Sequence, residues 1–143
     1  MTRQSNLKFN YAAPQKRQNK EATLQAEIVQ AIRILGHAGL VWGASMNGVH
    51  LGLRAAQRMK AQGMQAGEAD LWFLIAGHYY GLEVKNGKEG VQSKEQKDFE
   101  ARVNAAGGTY KITRTLDDAL ETLSAWRVIK PIARTRVVMA RAA

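Results

Sequence analysis

The stretch from Asp70 to Lys85, DLWFLIAGHYYGLEVK, limits the possible folds more than any other part of the chain. Leu71 to Ile75, and then Tyr79, Tyr80, Leu82 and Val84, are apolar or aromatic β-formers on either side of a Gly-His break, which predicts a β-hairpin. An acid stands at its entrance and a Glu-x-Lys at its exit. Glu83 and Lys85 are two positions apart on one strand, so both side chains leave the same face. A two-residue turn at Ala76-Gly77 sets Asp70 opposite Glu83. A turn at Gly77-His78, which suits type II′ geometry with Gly first, sets Asp70 opposite Lys85 instead. Either register places all three charges on one face, with directly opposed side chains roughly 4.5–5.5 Å apart at Cβ.

Two carboxylates that close repel by on the order of a few kcal/mol at an effective dielectric of ~20. They stay ionised together only with a cation between them. Hard oxygen ligands with no sulfur and no histidine pair point to Mg²⁺ or Mn²⁺. An adjacent ammonium is what a water-activating phosphoryl-transfer site needs, to hold an anionic nucleophile and to stabilise charge developing on phosphate. The competing reading is a structural cross-strand salt bridge between Lys85 and one acid. Three features weigh against it: the strands are too apolar for a solvated edge, the charges sit at the open end of the hairpin, and the chain ends are cationic.

Those ends matter because the net charge of +9 is unevenly placed. Residues 1–20 carry five bases and no acid, and residues 127–143 carry five more bases and no acid. Residues 21–126 hold 11 bases and all 12 acids. A near-neutral body between basic ends suggests a polyanionic partner such as nucleic acid, although basic ends are also common on disordered tails that merely aid solubility. At 143 residues with 45% hydrophobic content, the chain predicts a single globular domain with a real core. No apolar run approaches the roughly 18 residues needed to cross a bilayer, and the N-terminus lacks the apolar core of a signal peptide. There is no cysteine. Disulfides and thiolate-bound metal sites are excluded, and a reducing cytoplasm is compatible.

The rest of the chain predicts an alternating architecture. Residues 1–19 read as a basic, irregular arm with Pro14. From about Lys20, Leu24, Ile28, Ile32 and Leu35 form one apolar stripe of a helix. Glu21 falls about 20° from the centre of that stripe at 100° per residue, so it points along the buried face. A first-turn Glu that merely complements the helix dipole is the plainer explanation. Residues 40–44 form a short strand, Asn47-Gly48 a turn, and LRAAQRMKAQ a second helix. After the hairpin, Ser93-Lys94-Glu95-Gln96 is a capping box opening a third helix that packs Phe99 and Val103 inward. TYKIT (109–113) is a strand, and Thr115 caps a fourth helix through about Trp126. The order predicts an α/β or α+β fold with a small mixed sheet flanked by helices. His50 and His78 read as a loop residue and a turn residue.

Taken as an ordered set, Glu21, Leu24-Gln25, Asn47-Gly48, LRAAQRMKAQG, GEADLWF, YYGLEVK and SKEQKDF resemble a VRR-NUC domain, the virus-type replication-repair branch of the PD-(D/E)XK nucleases. The likeness runs from about Glu21 to Leu123. It implies a restriction-endonuclease-like core over residues 20–126, a basic arm over 1–19 and a basic extension over 127–143. It also implies a DNA endonuclease dependent on Mg²⁺ or Mn²⁺, held by Asp70, Glu83 and the main-chain carbonyl of Val84. Lys85 would orient or activate water, and Glu21 would complete the acidic cluster directly or through water. Gln96 matches the family's S-x-x-Q and would contact DNA or the site, although capping alone accounts for it. Ala69 stands where the family usually has Pro, a position that gives no ligand. Small stand-alone members of this kind are typically phage or prophage encoded, placing the activity in the bacterial cytoplasm. They are linked with Holliday junctions cut by a homodimer; a monomeric flap or nicking nuclease and a non-catalytic DNA-binding protein are the alternatives. Arg54, Arg58 and Lys60 are candidate phosphate contacts, or simply a solvated helix face.

Overall fold

The computed structural model describes residues 18–45, 52–88 and 90–131. The Asn47-Gly48 turn, His50, the basic arm before residue 18 and the stretch after residue 131 lie outside the described residues. The elements follow the order read from the sequence: α1 (Gln18–Leu35), β1 (Val41–Ala44), α2 (Leu53–Ala61), β2 (Leu71–Ile75), β3 (His78–Val84), α3 (Lys94–Ala105), β4 (Thr109–Thr113) and α4 (Leu116–Ala125). The strands form one sheet in the order β1-β2-β3-β4. β1 and β3 each run antiparallel to β2, whereas β4 runs parallel to β3. A parallel neighbour needs a crossover rather than a hairpin, and α3 supplies it.

Alternation along the strands sorts the two faces. Leu71 and Phe73 of β2 and Leu82 and Val84 of β3 are buried, and they meet Ile28 and Ile32 of α1 with Ala119 and Leu123 of α4. Each such aliphatic or aromatic side chain stabilises the fold by about 1.5–3 kcal/mol when fully buried. The opposite parity carries Gly81, Glu83 and Tyr110 to the α3 side, where the Phe99 and Tyr110 rings lie 6.3 Å apart. Packing continues past Trp126. Val128 and Ile129 are fully buried, Ile129 bridges Gly36, and the Lys130 N–H donates to the Leu35 carbonyl.

The hairpin takes the first of its two possible registers. Leu71 pairs with Leu82 and Ile75 with His78, leaving Ala76-Gly77 as the turn. Both turn residues are left-handed, with φ of 49° and 77°, the requirement of a type I′ turn. His78 is therefore not a turn residue. It begins β3, its Nε2 lies 2.8 Å from the Thr109 hydroxyl, and its ring sits 4.4 Å from that of Tyr80. Among the described residues, no helix is long and apolar enough to cross a membrane.

Candidate active site

The chosen register sets Asp70, one position before the Leu71–Leu82 pair, against Glu83. Asp70 precedes β2, so its side chain can turn back along the ladder; its Oδ2 accepts the Val84 N–H at 2.8 Å. Its own carbonyl accepts the Ser45 N–H, which ties the acid to the end of β1. Glu83 is 2% exposed, an unusual burial for a carboxylate. Lys85 Nζ stands 3.0 Å from Glu83 Oε1. The Gln96 side-chain amide donates to the same oxygen, and the Tyr110 hydroxyl reaches Oε2 at 3.4 Å.

The electrostatics follow from crowding acids into this space. Burial, and then the charge of Asp70, push the Glu83 carboxyl up to about 7, although Lys85 pulls the other way. Asp70 is also raised, mainly by desolvation; the Val84 amide and Lys85 oppose that shift and the charge of Glu21 adds to it. Burial and the charges of Glu83 and Asp70 hold the Tyr110 hydroxyl well above the ordinary phenol range. A carboxylate pair that lifts its own pKa values is short of positive charge. That is the electrostatic condition a divalent cation would relieve.

The groups open onto a cleft of about 420 Å³ lined by Glu21, Lys60, Asp70, Glu83, Lys85 and Gln96, with Glu68 and Glu95 at its walls. Glu21, at the start of α1, reaches the exit of β3, where its Oε1 accepts the Asn86 N–H at 2.9 Å. The Gln96 side chain makes two contacts. Its Oε1 accepts the Ser93 N–H in the capping box while its Nε2 binds Glu83. Arg54 and Arg58 are exposed on α2, and only Lys60 of that trio lines the cleft. Gly67, at φ +80°, lets the segment before Asp70 pass against α3, since a Cβ there would fall 2.1 Å from the Glu95 carbonyl oxygen.

Sequence reasoning missed Tyr110, Glu68, Glu95 and the Gly67 contact. Tyr110 alone carried a signal: alternation in TYKIT separates it from the faces of Lys111 and Thr113. Among the described residues, no three Asp, Glu, His or Cys side chains gather into a metal cluster. A divalent ion here would rest on the Asp70–Glu83 pair and complete its shell with carbonyl and water oxygens, as Mg²⁺ commonly does. The all-oxygen donor set fits that ion.

A mixed four-stranded sheet flanked by helices, with the acids and the lysine at the open end of its central hairpin, makes this a mixed α/β fold. More particularly, the chain is similar to a solved structure described as a VRR_NUC domain protein. The TM-score is 0.60 and the sequence identity 16%, covering 75% of this chain and 87% of that one. At such an identity the likeness is one of fold. No family model matches the chain, and no curated protein matches it.

Proposed function

We propose that the protein is a DNA endonuclease dependent on Mg²⁺ or Mn²⁺ that hydrolyses phosphodiester bonds. The observation that carries this reading is the half-buried Asp70 brought against the buried Glu83, with the Lys85 ammonium 3.0 Å from the latter, on a fold like that of a VRR_NUC domain protein. Asp70, Glu83 and the Val84 carbonyl would hold the ion, which when bound would supply Lewis acidity toward the phosphate and lower the pKa of water. Lys85 orients the attacking water and offsets charge on the phosphate oxygens. Glu21 acts on the acidic cluster from the Asn86 side, directly or through water. Gln96 fixes the Glu83 carboxylate and thereby its orientation.

The substrate class is branched DNA, foremost a four-way junction cut by a homodimer. A junction offers two equivalent strands, and a two-fold dimer presents two equivalent sites. Few base-reading signatures appear in the sequence, so recognition runs through phosphates and shape, with Lys60, Arg54 and Arg58 as backbone contacts. The test is cleavage of a labelled four-way junction in Mg²⁺ by wild type and Glu83→Ala. The expected result is a loss of at least about a hundredfold in the variant. Equal cutting by both refutes the site. A wild type that cuts flaps or nicks but not junctions favours the monomeric nuclease, and one that binds DNA and cuts none favours a non-catalytic binder.

A further inference from the structure

The link that follows Lys85, residues 86–88 and 90 among those described, is held from two sides. Glu21 takes the Asn86 N–H, and the Gly90 N–H closes back on the Asn86 carbonyl at 3.1 Å. On the other side Arg114 Nη1 donates to the Gly87 carbonyl at 2.6 Å and to the Gly90 carbonyl at 2.7 Å. Arg114 is the first residue after β4. It directly follows Thr113, whose carbonyl accepts the Lys85 N–H at 2.9 Å. The exit of β4 therefore grips both the backbone of Lys85 and the loop beyond it.

That loop lies on the lysine stem. A Cβ at Gly90 would come within 2.9 Å of Lys85 Cβ and 3.2 Å of its Cδ. Lys85 is 9% exposed. A lysine is a point charge on a flexible four-carbon stem, so its ammonium stays in one place only when the stem is walled in. Here the wall is main chain, and hydrogen bonds from a charged donor hold it in place.

We infer that Arg114 is a positioning residue of the site: by bridging the Gly87 and Gly90 carbonyls it keeps the link folded over Lys85 and the Lys85 ammonium on Glu83. The catalytic consequence rests on the nuclease reading, whereas the clamp itself is a property of the fold. A single guanidinium nitrogen makes both contacts, so a lysine ammonium at position 114 can replace it in part.

The test compares wild type, Arg114→Ala, Arg114→Lys and Gly90→Ala. Readouts are amide exchange at Asn86 and Gly90, melting temperature, Mn²⁺ affinity by calorimetry, and kcat and KM on a labelled four-way junction. Arg114→Ala should speed exchange at both amides and lower kcat by about tenfold or more, since a displacement of about 1 Å can cost up to a hundredfold. KM and Mn²⁺ affinity should hold. Arg114→Lys should recover most of the lost kcat, and Gly90→Ala, which pushes the link off the stem, should repeat the loss. Unchanged exchange in Arg114→Ala overturns the clamp whether or not the protein cuts DNA. Faster exchange with undiminished kcat overturns the positioning role, as does a kcat loss that merely tracks melting temperature across all variants. A wild type that cuts no DNA overturns the nuclease reading and the positioning role with it, while the exchange arm still judges the clamp.

Discussion

Glu83 is buried in the sheet, and the proposed metal site needs it charged. Its carboxyl titrates near 7 instead of near the ordinary 4.5, so the folded protein keeps a proton that the unfolded chain has already lost. The stability associated with this group is fully present below about 4.5 and is lost as pH rises through about 7. In chelator, the melting temperature of wild type should therefore fall between pH 5 and 8 more than that of Glu83→Gln, which cannot ionise; parallel curves would contradict the shift. In the proposed site Mn²⁺ would displace the same proton, so its affinity should climb with pH and level off above about 7. Calorimetry across that range checks the slope. For Lys85→Ala, cutting should drop by at least about a hundredfold while Mn²⁺ affinity is retained, because the proposed mechanism has the ammonium act on water and phosphate rather than on the ion.

At the scale of elements, the hairpin turn and the approach to Asp70 carry the geometry of the site. Ala76 holds a φ of 49°, which costs a residue with a Cβ roughly 1 kcal/mol. Ala76→Asn, giving the Asn-Gly pair that type I′ turns prefer, should raise stability by about 0.5–1 kcal/mol in urea unfolding and leave cleavage unchanged. Gly67→Ala should do the reverse. Its Cβ would run into the backbone of α3 where that helix begins, so about 2–3 kcal/mol of stability should be lost. Activity should fall further than stability explains, since Gln96 rides on the same turn. Parity made the shared face of Asp70, Glu83 and Lys85 legible in the sequence whichever turn formed. The choice between turns was not legible, because Gly77 suits either and the register that won puts an alanine in a left-handed conformation.

Along the whole chain, charge is unevenly placed, with basic ends and a near-neutral body. Changing Arg3, Lys8, Lys16 and Arg17 to Gln should weaken DNA binding and flatten its dependence on salt by up to about 3.6 in log–log slope. Binding isotherms at several salt concentrations measure it, and an unchanged slope would show those residues to be bystanders. Element order, the inner stripe of α1, the caps at Ser93 and Thr115, and the common face of the hairpin charges all follow from the sequence by itself. Each depends on periodicity or on groups within a few residues of one another. Tertiary structure alone decided that Glu21 meets the amide of Asn86, that Gln96 spans its own cap and Glu83, that Tyr110 closes on the same acid, and that Arg114 clamps the link beside Lys85. Those partners lie 13 to 65 residues apart, except for the cap itself, where they are three apart. They meet because a parallel β4 and a crossover α3 bring distant segments to one end of the sheet, and no local pattern encodes which side chains arrive there together.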